Sequence, residues 1–412
     1  LVGPVLSGSF HSNMPKAIVK RSLIAIGLIV SLACPPLGAQ SQLPAMGDGG
    51  DITAGAERQI GDRIVRELYR DPDYIDDAIL GEYVLGIWLP LLAAARTRGD
   101  LPPELDDRFA WEILLGRDGS VNAFALPGGY LGLHLGLIGV VNSRDELASV
   151  LAHELSHVTQ RHISRLMTQQ NRQTPLMIGA LILAALAASK NPEMASAVLT
   201  GGQALAAQNQ LNFSRDMERE ADRVGFGVMT QAGFEPRGYV TMFEKLQQAS
   251  RLNDNGSFPY LRSHPLTTER IADMQTRAPL TGTSTGMQEP TMPHAMLAAR
   301  ARVLSYPGVD LLRSWAKEPD LSAFAGLSAP RRAAVLYAGA LSAERLRDHD
   351  RAKALTRRLL TLTAGNEEAA RQARLLAVDI ALAAGNLALA SSLFETRAAG
   401  AALARPELLQ LA

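Results

Sequence analysis

The segment His153-Glu154-Leu155-Ser156-His157 constrains this chain more than any other feature. Residues four apart on an α-helix share one face, with Cβ atoms about 5–6 Å apart. The spacing therefore predicts two imidazoles aimed at one point. Helical start signals lie just upstream: Ser143 is followed three residues later by Glu146, the spacing of a capping box. Leu147, Val150 and Leu151 then form an apolar stripe that runs on past Val158. The fold must bury a helix that carries two histidines and a glutamate, and buried polar groups need partners.

Two imidazoles so placed chelate one Zn2+ through nitrogen, and Glu154 beside the first can hold the metal-bound water as general base, the logic of an HExxH metallopeptidase. The competing reading is a pair of histidines without metal. With 8 His in 412 residues the segment is a rare coincidence, which disfavours that reading. A catalytic zinc takes a third protein ligand and keeps one position open. The best source is Ser214–Asp222, where Glu218 and Asp222 share a face at four-residue spacing. Glu218 can ligate, and Asp222 can accept the second N–H of a ligand histidine and so fix its tautomer. Glu220 points about 200° away from Glu218 and is a poorer ligand. From spacing alone, the same pattern also reads as a solvated face of mixed charge.

Other chemistries are excluded more simply. Lys+Arg 41 balances Asp+Glu 41, so no broad basic surface points to nucleic acid. One Cys rules out a disulfide framework and a thiolate-rich zinc site. There is no phosphate loop ending in Gly-Lys-Ser/Thr.

The chain reads as mainly α with a small β-sheet: a zincin-type helical metallopeptidase domain, then an α-helical repeat domain. Residues 1–39 read as upstream residues and a signal peptide starting at Met14, with Lys16, Lys20 and Arg21 before an apolar run and cleavage after Ala39; an uncleaved anchor is the alternative. Residues 40–53 form a flexible leader, 54–278 the peptidase domain, 279–294 a Pro/Gly/Ser/Thr linker and 295–412 the repeats. Helices are expected over Ala54–Arg70, Tyr83–Arg98 and Leu211–Gly225, the last ending near Gly225 and Gly227. Strands are expected over Arg108–Leu115 and Val121–Leu126, joined as a hairpin at Asp118-Gly119. Leu176–Ala188 is either a buried helix or one that lies on a membrane surface or gates substrate. Residues 350–355 recur loosely at 386–390, a period of about 36 residues, close to tetratricopeptide repeats.

His153–His162, Ser214-Arg215 with Glu218–Gly225, Asn122–Tyr130 and Ser263-His264-Pro265 together resemble the HtpX and CAAX prenyl protease superfamily of zinc peptidases, and within it the periplasmic branch that serves outer-membrane barrel assembly. The resemblance implies one Zn2+ per chain bound by His153, His157 and Glu218, with Glu154 activating water and Asp222 behind a ligand. It implies that Asn122, Ala123, Phe124 and Ala125 form an edge strand to which an extended substrate adds by main-chain pairing. Gly128 and Gly129 would let the chain turn sharply there.

His264 is either a fourth ligand or transition-state group, as the resemblance suggests, or a loop histidine capping the next helix. Arg215 and His264 are the candidate oxyanion donors. His162, about 140° around the helix from His157, is read as a packing or outer-partner residue, and His134 as a satisfied core histidine. The resemblance implies protein substrates as partners: misassembled outer-membrane proteins and their assembly machinery. The rival reading is a chaperone or scaffold that works through its repeats with little proteolysis.

Overall fold

The computed structural model describes residues 52–169, 214–251, 257–278, 289–305 and 307–395. The expected signal peptide and the apolar run Leu176–Ala188 lie outside them. Helix α1 (Ala54–Leu68) is capped by Thr53, whose hydroxyl accepts from the Ala56 N–H. A short strand β1 (Tyr74–Ile75) leads to α2 (Ala78–Arg98), capped by Asp77. It starts at Ala78 rather than Tyr83. By length and composition α2 could cross a membrane, yet Leu80, Ile87, Trp88 and Leu91 are fully buried and it forms the centre of the core.

After a single turn, α3 (Pro103–Asp106), come β2 (Glu112–Gly116), β3 (Ala123–Leu126) and β4 (Tyr130–His134). The sheet order is β1-β2-β4-β3, with β2 and β4 parallel and β3 and β4 antiparallel. The expected hairpin at Asp118-Gly119 is therefore wrong, because β4 inserts between β2 and β3. That loop is held elsewhere: the Asp118 carboxylate accepts from the Ser120 N–H at 2.7 Å and its carbonyl from the Gly136 N–H at 3.0 Å. The true hairpin turns at Pro127-Gly128-Gly129, where both glycines take left-handed φ values of 80° and 85°. Strand alternation splits the sheet between two apolar clusters. Leu114, Leu126 and Tyr130 face α1, while Leu115, Leu131 and Leu133 face the main core.

Helices α4 (Leu135–Val140), α5 (Arg144–Thr159) and α6 (His162–Gln169) follow. Then come α7 (Arg215–Gln231), α8 (Arg237–Arg251), the turn α9 (Tyr260–Ser263) and α10 (Thr268–Arg277). Helix α7 does not end at Gly225 or Gly227 but runs through both. A Cβ on Gly225 would lie 3.0 Å from the Ala152 carbonyl, so this glycine serves a close crossing with α5 and not a stop.

The remaining elements are helical: α11 (Met292–Leu304), α12 (Val309–Lys317), two 3-10 turns, α13 (Ala329–Arg345), α14 (His349–Thr363), α15 (Glu367–Ala383) and α16 (Leu387–Glu395). Helix α11 begins at Met292, within the stretch read as linker, and packs on both α4 and α13. One apolar cluster runs from α2 through α5 and α11 to α15. The turns before α14 and α16 repeat each other. Each has a left-handed residue, Arg347 (φ 62°) or Gly385 (φ 70°), followed by a capping side chain, Asp348 or Asn386.

Candidate metal centre

Helix α5 is fixed at its start. Ser143 Oγ accepts from the Glu146 N–H at 3.1 Å, while the Glu146 carboxylate accepts from the Asn142 N–H at 2.7 Å and meets Lys245 at 2.8 Å. The helix is enclosed by α2, α7, α8 and β3, so His153, Glu154 and His157 are all buried. Helix α7 starts at Ser214, whose hydroxyl accepts from the Met217 N–H, and crosses α5 at Gly225. Asp222 then falls beside His153 and Glu218 beside His157, so the two helices run antiparallel.

Four side chains converge. His153, His157, Glu218 and His264 each place a donor atom within 4.8 Å of the others. His153 Nε2 and His157 Nε2 are 3.0 Å apart, and they lie 3.5 Å and 3.4 Å from the Glu218 oxygens. His264 Nδ1 is 3.3 Å from His153 Nε2 and 3.1 Å from Glu218 Oε1. A tetrahedral ion with bonds of about 2.0–2.1 Å needs ligand atoms about 3.3 Å apart. The observed spacings of 3.0–3.5 Å fit that, and nitrogen with carboxylate oxygen is a donor set zinc accepts. Glu154 adds a second sign: both its oxygens are buried with no hydrogen-bond partner among the described residues, and Oε1 sits 3.5 Å from His264 Nε2.

The outer partners are equally definite. His153 Nδ1 meets Asp222 Oδ1 at 3.0 Å, and Arg270 grips Asp222 through two contacts of 2.6 and 2.8 Å. Arg270 also reaches Glu218 at 2.8 Å and the Pro265 carbonyl at 2.9 Å, which ties down the loop carrying His264. His264 closes α9 and stacks on Tyr260, with ring centroids 4.5 Å apart. The cap of α10 is Thr267, not His264. Burial alone would lower the His153 pKa, but the Asp222 and Glu218 carboxylates win and raise it to about 9. Burial takes His157 well below the usual imidazole value and His162 down to about 4. Burial would raise Glu218 and Asp222, yet the histidines around the first and Arg270 on the second keep both low.

Not every expected residue joins the cluster. Arg215 is exposed at the first position of α7. His134 is buried at the end of β4, 3.1 Å from Ser120 Oγ. Ala123, Phe124 and Ala125 form β3 at one edge of the sheet, over α5, with Asn122 just before it. The Phe124 ring is turned over Gly132, whose missing Cβ makes room for it. Sequence reasoning missed Arg270, Tyr260 and Tyr239, whose hydroxyl lies 3.4 Å from His153 Nδ1. Arg270 lies 48 residues from Asp222, and nothing local marks a buried arginine.

Comparison with known proteins adds the family. Residues 97–278 match the model of peptidase family M48. The beta-barrel assembly-enhancing protease of Escherichia coli K12 is 33% identical over 360 residues, covering 84% of this chain and 68% of that protein. A Vibrio cholerae protein of the same description is 35% identical over 293 residues, covering 69% of this chain but only 57% of its own length. A mitochondrial metalloendopeptidase of Schizosaccharomyces pombe is 31% identical over 165 residues, 40% of this chain and 46% of that one.

Proposed function

The chain belongs to peptidase family M48, a metalloprotease family, and on that premise we propose that it is a zinc-dependent endopeptidase of the bacterial periplasm. One observation carries the reading: two histidines from α5, Glu218 from α7 and His264 from the loop after α9 meet at a single buried point. Their nitrogen and oxygen donors suit one Zn2+ per chain, with His153, His157 and Glu218 as its ligands. The ion supplies a Lewis acid that polarises a peptide carbonyl and makes water more acidic. Glu154 takes a proton at its unpartnered carboxylate and returns it to the leaving nitrogen. Asp222 holds the His153 ring through Nδ1. His264, with Nδ1 3.1 Å from Glu218 Oε1, would be a fourth donor to the ion and would have to give way to a substrate carbonyl.

The edge strand β3 offers main-chain pairing to an extended substrate through Asn122–Ala125, which suits unfolded clients of varied sequence. The helical part from residue 295 provides the surface for partners. The relatives' description as barrel assembly-enhancing supports misassembled outer-membrane proteins and their assembly machinery as clients. The test is casein hydrolysis by the full chain, with and without a chelator, beside Glu154→Gln. Hydrolysis lost by roughly 10²–10⁴-fold in the variant, with metal content unchanged, is the expected result. Metal bound by a parent chain that cleaves nothing would instead favour the chaperone or scaffold reading.

A further inference from the structure

His157 Nε2 faces the metal donors, so its other nitrogen, Nδ1, must find a partner in a buried site. Among the described residues that partner is not a carboxylate, as it is for His153. It is Nδ1 of His162, at 2.8 Å. His162 Nε2 in turn lies 3.2 Å from Glu220 Oε2, and Arg165 Nη1 approaches the same oxygen at 2.8 Å.

The protons in this chain can be placed. A neutral imidazole that presents Nε2 as a lone pair carries its hydrogen on Nδ1. His157 therefore donates from Nδ1, and His162 accepts at Nδ1. A neutral His162 then bears its hydrogen on Nε2 and donates it to the Glu220 carboxylate, which also accepts from Arg165. With His157 presenting Nε2, a neutral His162 satisfies these two contacts in this tautomer alone. We propose that His162 and Glu220 are positioning residues for the metal centre, which fix the tautomer and ring angle of His157 through a histidine-to-histidine-to-carboxylate relay.

The backbone is built for the relay. Continuing α5 as one helix would carry a residue five positions beyond His157 about 140° away from it. Instead α5 stops at Thr159, and Arg161 takes a left-handed φ of 53°, unusual for a residue with a side chain. This corner swings His162, the first residue of α6, back under His157. The strained position is pinned from outside. The Arg161 guanidinium meets Glu57 on α1 at 3.1 Å and Ser164 Oγ at 3.1 Å. Backbone strain held by a part-buried ion pair points to a conformation that serves a purpose.

The inference rests on the metal-centre reading above, and its test separates the two. Zn2+ affinity of the full chain is measured by chelator competition, and the visible spectrum of the Co2+-loaded chain reports ligand geometry. His162→Leu keeps the packing volume but removes the acceptor 2.8 Å from His157 Nδ1. It should weaken Zn2+ binding by about 10–100-fold and change the Co2+ spectrum. His162→Asn, with an oxygen near the Nδ1 position, should recover most of the affinity. Glu220 is part-exposed, so Glu220→Ala does not endanger folding. It should lose several-fold in affinity, with Glu220→Gln closer to the parent. If Glu220→Ala and a folded His162→Leu bind Zn2+ within twofold of the parent, with the same Co2+ spectrum, the proposal is overturned. A parent chain that binds no ion overturns the metalloprotease reading and this one together.

Discussion

At the scale of single residues, the centre shows which chemistry a sequence exposes. His153, Glu154 and His157 were legible because their relation is local: four-residue spacing on a helix settles which side chains share a face. Glu218 and Asp222 were half legible, since spacing gave the shared face but not what it faced. Arg270 was not legible at all, because its role depends on a tertiary meeting with Asp222 and Glu218. Its forked grip balances two buried carboxylates, and removing one partner of such a set is costly. Arg270→Met should therefore lower unfolding free energy by about 3–5 kcal/mol, measured by denaturant titration in the presence of a chelator. Arg270→Lys should recover only part of this, since a point charge cannot span Asp222 and Glu218 as the planar fork does. Equal stability of Arg270→Met and the parent would mean that the carboxylates find other partners.

Among elements, the site is a product of how closely α5 and α7 approach. Gly225 permits that approach, and a side chain there must push against the Ala152 backbone one residue before His153. Gly225→Leu should part the helices, widen the gap between Glu218 and His157, and weaken Zn2+ binding by more than about tenfold, comparable to losing an outer partner of a ligand. Chelator competition reads this directly; affinity unchanged in a folded variant would show that the crossing is not what sets the ligand distances. The glycines near residue 225 suggested a helix end because glycine is a poor helix former and a common terminator. Burial reverses that inference, since the missing Cβ is what lets two helices meet. The hairpin at Asp118-Gly119 failed for a related reason. A turn signal records that the chain bends, not which strands it joins, and here β4 supplied the pairing from further along.

On the scale of the whole molecule, the helical part is joined to the peptidase core by buried polar contacts that no local pattern announces. Arg300 on α11 binds Asp77 at the start of α2 at 2.7 Å and Asp379 on α15 at 2.8 Å. Arg300→Met would take the cation away from both carboxylates, leaving Asp77 only its helix-cap contact, and a loss of about 3–5 kcal/mol is expected in denaturant titration. His294 on the same helix makes the link sensitive to pH. The contacts fit a neutral ring whose Nδ1 accepts from the Tyr83 hydroxyl at 2.6 Å and whose Nε2 donates to the Val141 carbonyl at 2.8 Å. Burial holds its pKa below 6.5, helped by Lys245 and Arg144 and opposed by Val141 and Glu146. In the unfolded chain the same ring titrates near 6.5. Between the folded and unfolded values the unfolded state holds more protons. Stability is therefore complete above about pH 6.5 and falls as pH drops through that window. The slope for one such group is at most about 1.4 kcal/mol per pH unit. His162, also low, adds a parallel term, so the comparison must be with His294→Asn, which removes only this titration. The parent should lose more stability than that variant between pH 7 and pH 5, and parallel stability curves would show that the ring is not held neutral by its place between the two parts.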